Sequence, residues 1–405
     1  MQFSFKAKKK DGSIEKGVRD AEDKLSLSHI LREEGLILFS AEPVGGNKII
    51  KFLTWLNETV VTVGLSEKIV FARNLSAMVS AGLSISRGIE ILEKQTENKK
   101  LKEALNGISI GISQGKTLSD GLKNYPRIFS PLFIAMVHAG EESGGLAPAL
   151  KEIAIHLEKN NVLIKKVRSA LIYPAIVMVA IVIIGILMLI FVVPTLTKTF
   201  KELNVALPAS TRFIIWISDL ISNNIFGMLG LLVFLAILFP VLLHTKRGKK
   251  TFDFLVLRIP FVGNLVKQIN IARATRTLSS LLRAGVSVTQ STTITTDVIQ
   301  NFYYKNSIGE ATTKIEKGSP IAEVFKDNDF LYPVMVGEMV EVGEETGKLA
   351  DMLLDIAKFY EEQVETATKD LSTVIEPVLM IVIGSAVGFF AISMISPTYS
   401  VLNNI

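Results

Sequence analysis

The chain has 405 residues, 49% of them hydrophobic and 20% charged, with a net charge of +5 and no cysteine. Such a length argues for more than one domain, and the apolar excess argues for a membrane protein with sizeable soluble parts. The missing cysteines exclude a disulfide framework and a thiolate metal site.

In chain order, residues 1–50 read as a small N-terminal α+β module. Phe3 and Phe5 alternate with polar neighbours, Asp11-Gly12 reads as a turn, and Leu25 to Glu34 as a short helix. The first ten residues have no apolar core long enough for a signal peptide, so the N-terminus is expected to stay cytosolic. Residues 51–65, with Trp55, read as an amphipathic linker near the membrane.

Residues 66–170 carry helical stripes. Phe71, Leu75 and Met78 form one, Leu101, Leu105, Ile108 and Ile112 another, and Leu146, Leu150, Ile153 and Leu157 a third. A cytoplasmic bundle of about six helices is expected here. Leu171 to Val193 follows without a charge for 23 residues, enough to cross a hydrocarbon core of about 30 Å. Residues 194–224 are then an external loop whose Phe213 to Ile217 stretch, with Trp216, suits the interface. Ile225 to Leu243 is a second uncharged run, of 19 residues, and residues 244–374 form a second cytoplasmic domain. Residues 375–399 hold a third span, whose uncharged run is Pro377 to Tyr399, and residues 400–405 a short external tail. The expected fold class is mainly α: a polytopic membrane protein with two cytoplasmic helical bundles, three transmembrane helices and the small N-terminal module.

Lys165, Lys166 and Arg168 precede the first span, and Lys246, Arg247, Lys249 and Lys250 follow the second. Basic flanks mark the cytoplasmic side, so the N-terminus lies inside and the C-terminus outside. The same clustering beside apolar runs suits membrane orientation better than a phosphate-binding face, which argues against nucleic acid. No Asp, Glu, Lys, Arg or His interrupts a span, which argues against an ion pathway. Pro174 and Pro377 are expected in the first turns of their spans, where proline costs no ladder hydrogen bond. Gly384 and Gly388 form a small-xxx-small face that permits close packing within the protein or against another copy.

The second bundle repeats the first. Gly140-Glu141-Glu142-Ser143-Gly144 returns 203 residues later as Gly343-Glu344-Glu345-Thr346-Gly347. The same offset maps Arg73 onto Arg276, Ala81-Gly82 onto Ala284-Gly285, Gly115 onto Gly318 and Pro174 onto Pro377. It also maps Leu101, Leu105, Ile108 and Ile112 onto Tyr304, Ile308, Ala311 and Ile315, and the stripe from Leu146 onto Leu349, Leu353, Ile356 and Tyr360. A tandem duplication of bundle plus span explains all of this.

Little in either copy promises chemistry. Gly111 to Thr117 resembles a nucleotide loop, but Ile110 stands where its first glycine belongs, and copy two has no Lys-Ser/Thr pair. Gly115 and Gly318 read instead as helix stops, with Thr117 and Ser319-Pro320 opening the next helix. Paired carboxylates such as Glu141-Glu142 can serve as acid and base or bind a hard cation. Yet the neighbours such a catalyst would need change from His138 in copy one to Glu338 and Glu341 in copy two. The favoured reading is a helix–turn–helix corner: Gly140 and Gly343 allow close packing, Gly144 and Gly347 permit the turn, and the glutamates cap or face a partner. A cation site is the alternative. Arg73 and Arg276 are expected to bind a carboxylate of the acidic motif in their own copy. His29, His138, His156 and His244 show no metal spacing, and no cofactor is indicated.

Taken together, the Arg-plus-Ala-Gly helix, the doubled Gly-Glu-x-x-Gly corner, Tyr173-Pro174, Glu376-Pro377 and Pro397 resemble a known family. The chain is similar to the polytopic inner-membrane platform protein of type IV pilus assembly, the F-type component of type II secretion systems. The resemblance covers residues 66–405. It implies a non-enzymatic protein of the bacterial inner membrane, coupled to a cytoplasmic hexameric ATPase and feeding prepilins or pseudopilins into a fibre. Other inner-membrane assembly proteins, membrane lipids and further copies of itself are the remaining implied partners. The residues agree with a mechanical role, since two related domains on one side can form a quasi-symmetric cytoplasmic surface. A transporter or channel is the main rival; it predicts mid-membrane polar groups. A membrane ATPase, the second, needs a phosphate loop.

Overall fold

The computed structural model describes residues 2–8, 14–21, 26, 30–31, 36–43, 62–202 and 207–402. They fall into two units, Met1–Val63 and Gly64–Ile405.

In the first unit, strands β1 (Gln2–Lys8), β2 (Ile14–Asp20) and β3 (Ile37–Pro43) form an antiparallel sheet in the order β2-β1-β3. Gln2 pairs with Asp20 and Lys8 with Ile14, while the register against β3 shifts between Lys6 and Ala7. The strand expected from Phe3 and Phe5 is β1. Of the expected helix over Leu25 to Glu34, Ser26, Ile30 and Leu31 are described and helical, and Leu31 is fully buried. The Asp11-Gly12 turn and Trp55 lie outside the described residues.

The second unit is helical. Copy one comprises α1 (Leu65–Ser80), α2 (Ile85–Gln95), α3 (Lys99–Ser113), α4 (Leu118–Lys123), α5 (Pro131–Glu142) and α6 (Leu146–Leu187). A π-helical turn, Met188–Val192, joins α6 to α7 (Val193–Glu202). Helices α8 (Ala209–Asn223) and α9 (Ile225–His244) lead to α10 (Lys246–Arg258). Copy two comprises α11 (Val262–Arg283), α12 (Val288–Val298), α13 (Phe302–Glu316), α14 (Ile321–Lys326), α15 (Val334–Glu345) and α16 (Leu349–Leu402).

Short polar residues set the helix starts. Ser84, Asn98, Thr117 and Ser130 accept backbone N–H groups at the heads of α2 to α5, and Ser287 and Asn301 do so for α12 and α13. The stripes read from the sequence face inward: Phe71, Leu75, Leu105, Ile108, Leu150 and Ile153 are at most 2% exposed, as are Tyr304, Ile308, Leu353 and Ile356.

The two cores reach similar fillings with different side chains. Copy one clusters Phe71, Phe129 and Phe133, with ring centroids 5.1–6.1 Å apart. Copy two has Ala274 and Val336 where Phe71 and Phe133 would be, and fills the space with Tyr304, Phe325 and Tyr332, centroids 4.9 and 5.3 Å apart. Volume removed from one wall is restored on another, as close packing requires. The buried Tyr304 hydroxyl donates to the Leu331 carbonyl at 2.7 Å.

Two helices are long and apolar enough to cross a membrane, Leu146–Phe200 and Leu349–Pro397. Both run from a bundle into the apolar segment without interruption. This corrects one expectation: Pro174 and Pro377 sit inside continuous helices rather than in first turns. Each therefore does remove a ladder hydrogen bond, because the cytoplasmic helix extends straight into the apolar part. The expected external loop is also largely helical. Its α8 packs on the π-helical turn, on α7 and on α16, where Val193, Ile214 and Met394 are buried together. Helix α9 matches the second uncharged run, with Val233–Leu243 as its apolar described stretch.

Helices α10 and α11 meet at 112°. The corner is a γ-turn in which Val262 N–H reaches Pro260 O at 2.7 Å and Phe261 takes φ +62°. Length and composition would let the pair count as a broken span. Helix α11, however, supplies Ile271, Ala274 and Leu278 to the core of the second bundle, and α10 opens with Lys246, Arg247, Lys249 and Lys250. A helix that fills a bundle core and a turn this basic fit a bundle better than a span.

Candidate functional site

The acidic corner is built the same way twice. Gly140 ends α5 where α6 crosses it, and a Cβ there would lie 2.6 Å from Ala149 Cβ. At Gly343 a Cβ would lie 3.0 Å from the Leu349 Cα. The following turns place Gly144 and Gly347 at φ +69°, a region that only glycine enters without strain. Gly82, Gly115, Gly285 and Gly318 close helices at φ +85° to +89°, as the helix-stop reading expects.

Each first glutamate then turns back onto the preceding short helix. Glu141 accepts Leu118 N–H at 2.6 Å and Ser119 N–H at 3.0 Å. Glu344 accepts Ile321 N–H at 3.1 Å and Ala322 N–H at 3.3 Å. A carboxylate thus satisfies two orphan donors at the start of α4 and of α14, where the helix dipole also favours negative charge. Of the two roles the sequence allowed these glutamates, capping is the one their side chains perform. The second glutamates point outward: Glu142 is paired with His138 at 3.3 Å, and Glu345 is exposed. In copy two, Lys326 lies 3.1 Å from Glu338 and 2.7 Å from Glu341. Among the described residues no group of three His, Asp or Glu side chains converges as metal ligands would.

The arginines do not bind the acidic motif, contrary to expectation. Arg73 pairs with Glu158, and Arg276 with Glu361 through Nε at 2.8 Å and Nη2 at 2.7 Å. Glu141 and Glu344 are already engaged at the helix starts, whereas Glu158 and Glu361 lie on the long helix that packs along the arginine's own. Ser76 and Ser279 reinforce that packing by donating to Ala147 O and Ala350 O at 2.8 and 2.7 Å. The glutamate partners were missed in the sequence, although both stand 85 residues beyond their arginine and could have been found by that matched separation.

The copies differ in what covers these pairs. The Arg73 and Glu158 side chains are 59% and 47% exposed, but Arg276 and Glu361 only 6% and 18%. Helix α6 of copy one lies against α16 and α11 of copy two and closes over the second pair. Ser280 Oγ donates to Glu152 Oε1 at 3.1 Å across this junction, and Lys166 bonds Glu365. A cleft of about 520 Å³ remains between the three helices, lined by Lys159, Lys166, Lys358, Glu361, Glu362 and Glu365 among others. His156 is buried on the α6 side, and that burial, with Arg276 and Arg273 nearby, holds its pKa down at about 4. The imidazole is therefore neutral. Of the remaining residues singled out in the sequence, Glu376 is exposed beside Pro377, and a Cβ added at Gly384 or Gly388 would meet nothing within 4 Å.

A duplicated, all-helical pair of bundles that run straight into apolar helices defines a membrane component built on an internal repeat. The chain belongs to the type II secretion system protein F family, whose model matches it twice, at residues 71–194 and 274–397. It is 34% identical to a type IV pilus assembly protein, PilC, of Thermus thermophilus over 100% of this chain and 98% of that relative. Identity to PilC of Myxococcus xanthus is 32%, over 98% of this chain and 94% of the relative. Type II secretion system protein F of Vibrio cholerae is 26% identical, over 99% and 98% of the two chains. These are names of assembly and secretion-system components, and the family together with the apolar helices makes this an inner-membrane protein.

Proposed function

We propose that the chain is the non-enzymatic inner-membrane platform of a type IV pilus or type II secretion machine. It couples a cytoplasmic hexameric ATPase to the insertion of prepilin or pseudopilin subunits into a growing fibre. The observation that carries this reading is the continuity of α6 and α16, of 42 and 54 residues, from bundle to apolar segment. A helix of that size is a rod of about 60–80 Å. A torque applied to the bundles reaches the membrane through two such rods, with no loop to absorb it. Pro174 and Pro377 each weaken the rod at the same place, which suits a joint between lever and span. In this reading the three spans are α6, α9 and α16, the bundles lie in the cytoplasm and the C-terminus lies outside.

The test uses the organism that carries the chain. Deleting it should abolish fibres or secretion while pilin and ATPase levels stay unchanged, and crosslinking of the tagged full-length protein should capture an assembly ATPase and pilins. Fibres in the deletion strain, or ATP hydrolysis by the purified chain alone, would overturn the proposal.

A further inference from the structure

A second cavity, of about 580 Å³, opens where α9 gives way to α10, against α11. Its walls are of two kinds. Leu243, Phe252 and Ile269 contribute apolar surface, and Leu243 belongs to the last turn of the apolar helix. Lys249 and Arg273 contribute positive charge.

Arg273 is the informative member. Its Nε is buried without a hydrogen-bond partner, and among the described residues it forms no ion pair. Burial also pulls its pKa below the usual guanidinium value. Of its close neighbours, His156 is neutral, and Arg276 is already matched by Glu361. The cavity's own carboxylate, Asp253, accepts Phe302 N–H at 2.7 Å and, among the described residues, forms no ion pair with Arg273. Arg273 is half-buried, so its guanidinium is not sealed from water, but a buried donor without an acceptor is costly and its Nε needs a reason. The bundle does not require it: the matched position in copy one is Val70, 55% exposed. The charge is therefore particular to the place where copy two meets α9 and α10.

The geometry points to a binding site for the phosphate headgroup of an anionic membrane phospholipid, taken by Arg273 and Lys249, with its glycerol and acyl portion against Leu243 and Phe252. The site rests on the reading of α9 as a span that ends at the cytoplasmic face, because that sets Leu243 at headgroup depth. Lys246, Arg247 and Lys250 on the same basic turn strengthen the local attraction for an anionic leaflet.

The purified full-length protein in a neutral detergent provides the test, with bound lipid read by native mass spectrometry. Phosphatidylglycerol should bind roughly tenfold more tightly than phosphatidylcholine, and Arg273→Gln with Lys249→Gln should remove that preference. Lys249→Glu, an exposed change, should weaken it even if Arg273→Gln does not fold. Equal binding of the two lipids, or an unchanged preference in the variants, would overturn the site. Inorganic phosphate binding as tightly as the lipid would overturn the lipid assignment. A cysteine introduced by Thr251→Cys and probed with an impermeant maleimide separates the two readings. Labelling from the cytoplasmic side without lipid selectivity sinks the site alone; labelling from outside sinks the topology and the site with it.

Discussion

Arg73 and Arg276 show how one interaction acquires two energetic meanings. Both are guanidinium–glutamate pairs at matched positions, but the first is open to water and the second is closed over by α6. Exposed pairs contribute up to about 1 kcal/mol, whereas removing one partner of a buried pair costs about 3–5 kcal/mol. Thermal or denaturant unfolding of the purified protein should therefore tolerate Arg73→Ala and be strongly weakened by Arg276→Ala. Similar losses from the two would show that burial does not set their difference. His156 gives a second residue-scale expectation. Its folded pKa is lowered from 6.5 to about 4, so the unfolded chain binds the extra proton first as pH falls. Its contribution, on the order of 3 kcal/mol, is present above about pH 6.5 and is lost between there and about pH 4. Melting curves down to about pH 4.5 should show a steeper loss for the native protein than for His156→Gln. Parallel curves would count against it.

Among the elements, the corner between α5 and α6 is legible from sequence as a turn whose glutamates cap or face a partner; which helix start they cap is not. The pattern Gly-Glu-x-x-Gly marks close approach and a left-handed turn, and the structure has both. That Glu141 reaches the start of α4 depends on how α4 is laid against α5, a packing that no local spacing encodes. Replacing Gly140 by Ala forces a contact 2.6 Å from Ala149 and should cost about 1–3 kcal/mol. Glu141→Ala should cost a similar amount, about 1.5–3 kcal/mol, by leaving two N–H groups without their charged acceptor. Both are checked by unfolding the full-length protein. A Glu141→Ala variant of native stability would show that the carboxylate is free for another task. The long helices teach the opposite lesson. A proline at the start of an apolar run reads as a helix start, yet α6 and α16 pass through it, because each is held on its cytoplasmic side by a packed bundle that outweighs one lost hydrogen bond.

The whole molecule is duplicated without being symmetric. The expectation of a quasi-symmetric cytoplasmic surface meets a junction in which copy one covers copy two. Ser280, Ala284 and Val286 are at most 8% exposed, whereas their counterparts Ala77, Ala81 and Leu83 are exposed. Helix α1 and the following turn thus keep an open face where copy two has none. The topology is open to cysteine labelling, for which a chain without cysteine is suited. Ser113→Cys should react with an impermeant maleimide only from the cytoplasmic side, and Lys198→Cys only from outside. Labelling of both from one side would overturn the three-span arrangement.

The sequence alone determined the number of copies, their offset, the stripes that become the cores, the glycine turns and the apolar runs. Each of these depends on local periodicity, on backbone conformations that only glycine adopts freely, or on length against bilayer thickness. The tertiary structure alone decided which glutamate each arginine takes, what the acidic corner caps, which copy is covered, and that Arg273 keeps an unpartnered Nε beside the end of α9. Those outcomes arise from side chains far apart in the chain meeting at fixed distances. Two copies carrying the same motifs thus acquire different surroundings, because α6 of copy one lies over α11 and α16 of copy two while the matched face of α1 stays exposed.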